Sequence, residues 1–467
     1  MFLLGMLALP AAPEVHATQS RAFVFATDFG SGTIANVAFG PPRPVTPNVA
    51  AVCADAVLRH HQGLLYVIER FGCDNVRVLD PANGFALVRQ FSVGNGSNPN
   101  DIVVVSPTKA YVARYDSADL WIVNPSTGAF IGAISLAPFA DADGIPEMNR
   151  MAMVGGRVFI TVQRIDRDAF FTPTDSSAVV VIDAATDALV DCDPAAPGLQ
   201  GILLPFQNPT TELIVEASGR LIVGCTGFYG ANDGGVVRID PLALTVDGIE
   251  TTEAALGGDI ADVVPATATR GFVVLSDASY NTVCKPYDRA TGAAGTAVYA
   301  TSGFNLADAE ANDRGELWLC DRTPANPGVR VFDVATLAPL AGPLSTGLPP
   351  LDIEFDGSAT TDVPATGGPA PFAFAGAWPN PSRGDVVLRV RLAAGAAPAG
   401  SPIRATILDA AGRRVRTLEA NAGAETLRWD GRNDAGRPTA PGVYAVRLEI
   451  GGSVASGRLV RLPSARL

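Results

Sequence analysis

Apolar and polar positions alternate in short bursts along most of this chain. From residue 22 to 357, runs of four to six apolar or alternating residues are punctuated by Gly, Pro, Asn and Asp, which predicts strands and not helices. The unit is a strand, a short polar turn, a second strand ending in V-x-D or V-x-N, a third strand, a Pro/Asn/Gly turn and a fourth strand. Its clearest copy is LLYVIERFGCDNVRVLDPANGFALVRQFSVGNGSNPNDIVVVSPT, from Leu64, and the V-x-D segment returns as AVVVIDAATDALV, GGVVRIDPLALTV and GVRVFDVATLAPL. Unit starts fall at Ala22, Leu64, Ala110, Arg157, Leu221, Gly271 and Glu316, separated by 42, 46, 47, 64, 50 and 45 residues. Seven four-stranded units at that period predict a seven-bladed β-propeller. The chain enters at AFVFAT, a second strand, and leaves at LPPLDIEF, a first strand. Strand 351–355 is therefore expected to complete blade one and leave no long free edge.

Residues 358–376, GSATTDVPATGGPAPFAFA, read as an extended Gly/Pro/Ala/Thr-rich linker. Beyond them, residues 377–467 hold strands joined by tight turns, the spacing of a small antiparallel sandwich. Asp409-Ala410-Ala411-Gly412-Arg413 and Trp429-Asp430-Gly431-Arg432 supply the hairpin-turn chemistry, Gly taking the positive φ. At the other end, the apolar run Phe2–Ala12 is too short to span a bilayer. Val15 and Ala17 place a cleavage site before Thr18, as in a signal peptide over 1–17, although the basic leading segment is missing. The expected class is all-β: a seven-bladed β-propeller over 18–357 followed by a small Ig-like β-sandwich.

Composition narrows the picture. Of 467 residues 48% are hydrophobic and 17% charged, which excludes a wholly disordered chain. The net charge of -13 argues against nucleic-acid partners. Residues 377–467 carry 14 Arg against 7 Asp and Glu, so an acidic body joins a basic tail. No stretch reaches 18 uninterrupted apolar residues, so no transmembrane helix is expected.

Two resemblances follow from these motifs. LLYVIER, AVVVIDAATDALV and NPNDIVVVSPT resemble the three parts of the YVTN repeat of bacterial surface propellers, over about residues 20–357. PNPSRG, DAAGRRVRTL, WDGRNDAGR and PGVYAVRL resemble the FlgD Ig-like domain and the related C-terminal sorting domains of type IX secretion cargo. The first resemblance implies an extracellular binding or structural protein, the second a module for surface delivery or attachment. Together they imply a secreted or cell-surface location. The partners implied are a protein or glycan at the propeller face and secretion or envelope components at the tail.

Chemistry-bearing residues are few. Six cysteines in a chain with an export signal favour disulfides: Cys53–Cys73 on neighbour-blade geometry, then Cys192–Cys225 and Cys284–Cys320, with buried free thiols as the alternative. After signal cleavage only His60 and His61 remain, adjacent on a strand, which cannot build a multi-histidine metal site. Propeller topology instead gathers charges at one mouth of the channel. The starts of inner strands bring Asp101, Glu147, Glu212, Asp262, Asp308 and Asp352, and the ends of second strands bring Arg70, Arg114, Arg164 and Arg322. Either these charges satisfy loop backbone and one another, or they hold an ion or polar ligand, calcium being the cation such carboxylates suit. The loop FADADG, with Asp141 and Asp143, has the start of a calcium loop without its closing Glu. Two enlarged loops on the same face present Phe170 and Phe171, and Phe228 and Tyr229, which can stack on sugars or grip a peptide. A binding protein is the favoured reading. The alternative is a lactonase or other hydrolase acting at the mouth, with or without a metal, through Glu147, Asn149, Arg150, Glu212 and Asp262.

Overall fold

The computed structural model describes residues 19–357 apart from 168, 170, 171 and 175, and in the C-terminal part 372–378, 382–392, 402–408, 414–421, 424, 426–450 and 453–462. The expected signal peptide, most of the expected linker and the Asp409–Arg413 turn lie outside these residues.

Between Arg21 and Phe355 the chain forms seven four-stranded antiparallel sheets and a two-stranded ribbon, Ile165–Asp166 with Thr172–Pro173; the fourth large sheet gains a short fifth strand, Ile202–Leu203. Their first strands are Pro350–Phe355, Ala56–His61, Pro99–Ser106, Met148–Val154, Ile214–Val215, Asp259–Val264 and Leu306–Ala311. These strands, helped in the fifth sheet by Leu221–Cys225, lie against one another in a closed ring. They are thus the inner strands of a β-propeller, numbered here as blades 1 to 7 in that order. Side chains of adjacent blades interdigitate between the sheets. Val103, Tyr111, Met151 and Ile160, for example, share one buried cluster from blades 3 and 4.

The V-x-D signature has a local cause. Asp80, Asp183, Asp240, Asp288 and Asp333 end the third strands, and each accepts the backbone N–H groups two and three residues on. An Asx turn of this kind replaces ladder bonds that end at the strand terminus, so the repeat punctuates its own hairpins. These turns lie on the face opposite the mouth.

The ring closes through blade 1, where Pro350–Phe355 pairs antiparallel with Arg21–Thr27. Phe355 is buried and packs edge-on against Trp318 (5.6 Å) and Phe39 (5.4 Å). Both ends of the closing strand are tied. Arg322 donates to the carbonyls of Thr27, Pro349 and Pro350. At the far end Asp356 accepts from the Arg21 N–H (2.8 Å), the Ser20 N–H and the Ser20 hydroxyl, while the Gly357 N–H donates to His60 Nδ1 (3.0 Å). Cys53 and Cys73 form a disulfide that joins the outer edge of blade 1 to the loop after the second strand of blade 2.

The other four cysteines are free thiols, contrary to the two further pairings. Cys225, Cys284 and Cys320 are buried on strands of blades 5, 6 and 7, where each packs as a small apolar side chain. Cys192 is half-buried beside the blade 4 to blade 5 core, and burial pushes its thiol up to about 11.

The C-terminal unit is a second compact body. A three-stranded sheet (Phe372–Trp378, Val386–Leu392, Thr426–Trp429) and a four-stranded sheet (Arg414–Ala420, Ile403–Leu408, Gly442–Ile450, Ser453–Arg461) share one core that includes Leu388, Ile407, Trp429 and Leu448. The strand Phe372–Trp378 corrects the linker boundary, because alternating FAFAGAW pairs along Val386–Leu392 where its Gly/Pro-poor composition allows. Trp429–Arg432 bends but makes no hairpin turn, because Thr426–Trp429 pairs with Val386–Leu392 and the tight turn falls at Asn433–Gly436. Gly431 sits at φ +70, and a Cβ there would meet the Arg461 guanidinium at 2.1 Å.

Ring closure makes the propeller separable from the tail. A chain ending at Gly357 should unfold in a single transition at the temperature of the intact propeller, measured by differential scanning calorimetry. One ending at Pro349 should melt at least about 10 °C lower or fail to fold. Phe355→Ala alone should cost about 3–5 kcal/mol in denaturant titration. Equal melting of the two truncations would contradict this closure.

Candidate functional site

The inner strands carry a repeated polar device. Asp352 Oδ2 accepts from the Leu58 N–H (2.9 Å), Asp101 Oδ2 from Met151 (2.8 Å), Asp262 Oδ2 from Ala309 (2.8 Å) and Asp308 Oδ2 from Ile353 (2.9 Å). Each carboxylate belongs to one blade and each N–H to the next. Glu354 adds a second link of the same sense to the His60 N–H (3.1 Å). The exposed edge of an inner strand has N–H groups with no ladder partner, and these carboxylates supply one. Arg59 of blade 2 joins by a bidentate pair with Asp101 (2.8 and 3.1 Å) and a contact to Glu212 of blade 5 (2.5 Å).

Charge around the axis is divided. Arg59 and Arg150 stand on blades 2 and 4, while Asp262, Asp308, Glu310, Asp352 and Glu354 crowd blades 6, 7 and 1. Burial, aided by neighbouring carboxylates, pushes Asp262 up to about 7 and Asp352 up to about 6. It also raises Asp308, Glu310 and Glu354 well above the usual carboxylate range. Glu212 goes the other way: burial opposes its charge, but the Arg59 and Arg150 guanidiniums outweigh that and hold it below its ordinary value.

The remaining mouth arginines bond backbone. Arg114 donates to the Val93 carbonyl and stacks over Trp121 (4.4 Å), Arg164 donates to Phe139 and Ser176, and Arg322 guards the ring closure. Glu147, fully buried, accepts from the Ile165 N–H (3.0 Å) and Arg167 Nε (3.0 Å), and burial lifts it to about 7. Arg167, which the sequence reading missed, also pairs with Asp116 (2.6 Å). In the FADADG loop Asp141 accepts from the Asp143 N–H and the Thr174 hydroxyl, and Asp143 from the Ile145 N–H. Among the described residues no three His, Cys, Asp or Glu side chains are grouped to hold a metal ion.

Arg70 belongs to a different setting. It pairs with Asp55 (2.8 Å) and donates to Asn100 Oδ1 (3.2 Å) at the wall of a mouth-side cavity of about 280 Å³. Asn100, Tyr115, Asn149, Arg150 and Gln163 complete most of that wall. They come from inner-strand starts and second-strand ends of blades 2, 3 and 4. Each fixes another: Asn100 donates to Asn149, Tyr115 to Gln163 Oε1 (2.6 Å), and Asn149 and Gln163 both to the Pro209 carbonyl.

Aromatic side chains stand on the same face. Phe29, Phe71, Phe228, Tyr229, Tyr280 and Phe304 occupy mouth-side loops and are 44–76% exposed, so they are not core. Tyr229 and Tyr280 stack with rings nearly parallel (6.1 Å, 7°), and Phe304 lies 5.2 Å from Tyr280. Tyr229 is oriented by a hydroxyl contact with Ser276 (2.7 Å). Phe29 and Tyr280 hold φ of +65 and +62, a region that costs a side chain of this kind about 1–2 kcal/mol. Phe170 and Phe171 lie outside the described residues.

Residues 383–452 match the family described as the FlgD Ig-like domain. No match to a curated protein emerged from the sequence comparison. Among solved structures, PorZ, a bacterial surface component of the type-IX secretion system of Porphyromonas gingivalis, matches over 92% of this chain and 63% of that one, at 14% identity and a TM-score of 0.44. This chain thus spans less than two thirds of that structure. A candidate 6-phosphogluconolactonase from Bacteroides fragilis matches over 74% of this chain and 99% of that one, at 13% identity and a TM-score of 0.51. The Dos1 propeller matches over 71% and 85%, at 13% identity and 0.45. The lactonase likeness falls on a propeller-sized share of the chain. The class is therefore a β-propeller carrying a C-terminal Ig-like domain, and the likeness among propellers is one of fold.

The raised carboxyls set a pH dependence. In the folded chain they keep protons that the unfolded chain loses near pH 4, so their stabilisation is full below that value and declines as pH rises through 6 and 7. His60, whose neutral form burial favours, acts in the opposite sense near 6.5 but is one group against five. The melting temperature should be higher at pH 5 than at pH 8 by about 2 °C or more. Asp308→Asn, which keeps an acceptor for Ile353, should flatten that slope and raise the pH 8 value. A flat or rising profile between pH 5 and 8 would refute the assignment.

Proposed function

We propose that this protein is a secreted or cell-surface binding propeller that takes a glycan on its mouth face and is delivered or attached through its Ig-like domain. The observation that carries the reading is the exposed Tyr229–Tyr280–Phe304 cluster, whose Tyr280 is held at positive φ. Rings held in water at an energetic cost contribute nothing to the core. Such rings, on mouth-side loops, suit the apolar faces of sugar rings. The propeller half carries the finer family reading, that of YVTN-repeat surface proteins, on the strand LLYVIE and on the V-x-D turns. Delivery rests on the FlgD Ig-like match and on the resemblance to sorting domains.

The carboxylates that a hydrolase would use at this mouth are engaged: Glu147 by Ile165 and Arg167, Glu212 by Arg59, and Asp262 by Val263 and Ala309. Binding therefore accounts for more of the site than bond cleavage does.

Affinity electrophoresis of the full chain through gels holding neutral and acidic polysaccharides tests the binding reading. At least one polymer should retard the protein, and Tyr229→Ala/Tyr280→Ala/Phe304→Ala should abolish the retardation without lowering the melting temperature. Retardation by none of them, or retardation indifferent to the triple substitution, would sink it. In the native host, a chain ending at Gly357 should disappear from the cell surface and medium while still crossing the inner membrane. Unchanged surface protease sensitivity of the truncated chain would contradict the delivery role.

A further inference from the structure

The inter-blade links define a register. The N–H that receives the link belongs to Leu58 in blade 2, Met151 in blade 4, Ala309 in blade 7 and Ile353 in blade 1. The residue just before is Asp308 in blade 7 and Asp352 in blade 1, each a carboxylate that reaches on to the next blade. In blade 2 it is the apolar Val57, and in blade 4 it is Arg150. A cation thus stands where blades 7 and 1 place an acceptor, and it makes no link to blade 5 of that kind.

Arg150 is also under-satisfied. Its guanidinium donates one hydrogen bond, from Nη1 to the Asn100 carbonyl (2.9 Å). Its Nε is buried without a partner. Among the described residues no carboxylate lies within 4.0 Å of it, whereas Arg59 holds Asp101 and Glu212, and Arg70 holds Asp55. A guanidinium remains charged at any physiological pH, and this one feels Glu212 and Asp101 only at longer range, both of them in contact with Arg59. Buried donors without acceptors are uncommon in native proteins and call for an explanation. Here the unpaired group lines a cavity of about 280 Å³, just below the usual range for small-molecule sites.

The rest of the wall indicates what the occupant looks like. Asn100, Tyr115, Asn149 and Gln163 are held by one another, so the lining is preorganised and polar. Such a wall suits an occupant rich in hydroxyl groups. One unpaired cation suits one negative charge. The crowded carboxylates of blades 6, 7 and 1, across the axis, disfavour a second.

We propose that this cavity binds a small hydroxyl-rich ligand bearing a single carboxylate, a sugar acid of the uronate kind, with Arg150 meeting the carboxylate. The inference rests on the glycan-binding reading and specifies its ligand class.

Isothermal titration of the full chain with D-glucuronate, D-glucose and D-glucose 6-phosphate tests it. Glucuronate should bind, with glucose and the phosphate each weaker by roughly tenfold or more. Arg150→Met, close in shape but uncharged, should reduce glucuronate affinity by roughly tenfold to a hundredfold and leave glucose unchanged. Its melting temperature should change little, because the substitution removes a buried charge and, with it, only a longer-range attraction to Glu212. Arg150→Lys should retain part of the affinity and serves if the Met variant fails to fold. Equal binding of glucuronate and glucose, tighter binding of the phosphate, no binding of glucuronate, or a glucuronate affinity indifferent to Arg150→Met would each overturn the proposal. Polysaccharide retardation that still depends on Tyr229, Tyr280 and Phe304 would then show that the binding reading survives without it.

Discussion

A carboxylate reaching from one inner strand to the backbone N–H of the next is the interaction on which the propeller's centre depends. Seven sheets arranged about an axis leave seven strand edges facing one another without a ladder between them. Asp101, Asp262, Asp308 and Asp352 satisfy part of that edge and hold adjacent blades at a set distance. The device concentrates negative charge where water is scarce, and its cost appears as carboxyls that retain their protons. Arg59, bridging Asp101 and Glu212 across the axis, relieves that cost on one side only. The centre is therefore polarised, and the cavity sits at the less acidic end.

Much of the fold was legible because the repeat carries its own punctuation. Short apolar strands recur in seven units, five of which carry a capped Asp turn, and the phase of the first and last strands gives the closure. The Ig-like unit was legible from WDGRNDAGR and PGVYAVRL. The site was only half legible. Strand-end position told which face Arg114, Arg164 and Arg322 would occupy, but a long side chain at that position can serve a loop carbonyl, as these do. Arg59, at the centre of the charge network, sits inside LRHH, where nothing in the local pattern marks it. Pairings of Cys192, Cys225, Cys284 and Cys320 failed because number and spacing do not say which blade interior a thiol packs into. Arg150 had a signal available: aligning the inner strands puts it opposite aspartates.

Two kinds of order meet at the mouth. The cavity wall is built from strand-end residues that bind one another and so hold their positions before any ligand arrives. The aromatic rim is built from loop residues in left-handed or exposed conformations, where the backbone works against the side chain it displays. Rigid polar walls favour selectivity, since an ill-matched ligand leaves their groups unpaired. Exposed rings favour contact area without strict geometry. The Cys53–Cys73 bridge fixes the loop that displays Phe71, and so extends the rigid part toward the rim.

Closure by Pro350–Phe355 also decides how the molecule would carry tension. The tail leaves the propeller directly from the closing strand, so a pull on an anchored tail against a ligand held at the mouth reaches this strand first. Because the mouth lies at the Pro350 end and the tail leaves at the Phe355 end, such a pull runs along the strand and loads its ladder in shear, all of its bonds sharing the force. Asp356, clasped by Ser20 and Arg21, and Gly357, bonded to His60, add to the bonds that would have to give together. A tether at this point would thus load the ring closure in the direction in which a strand pair resists best.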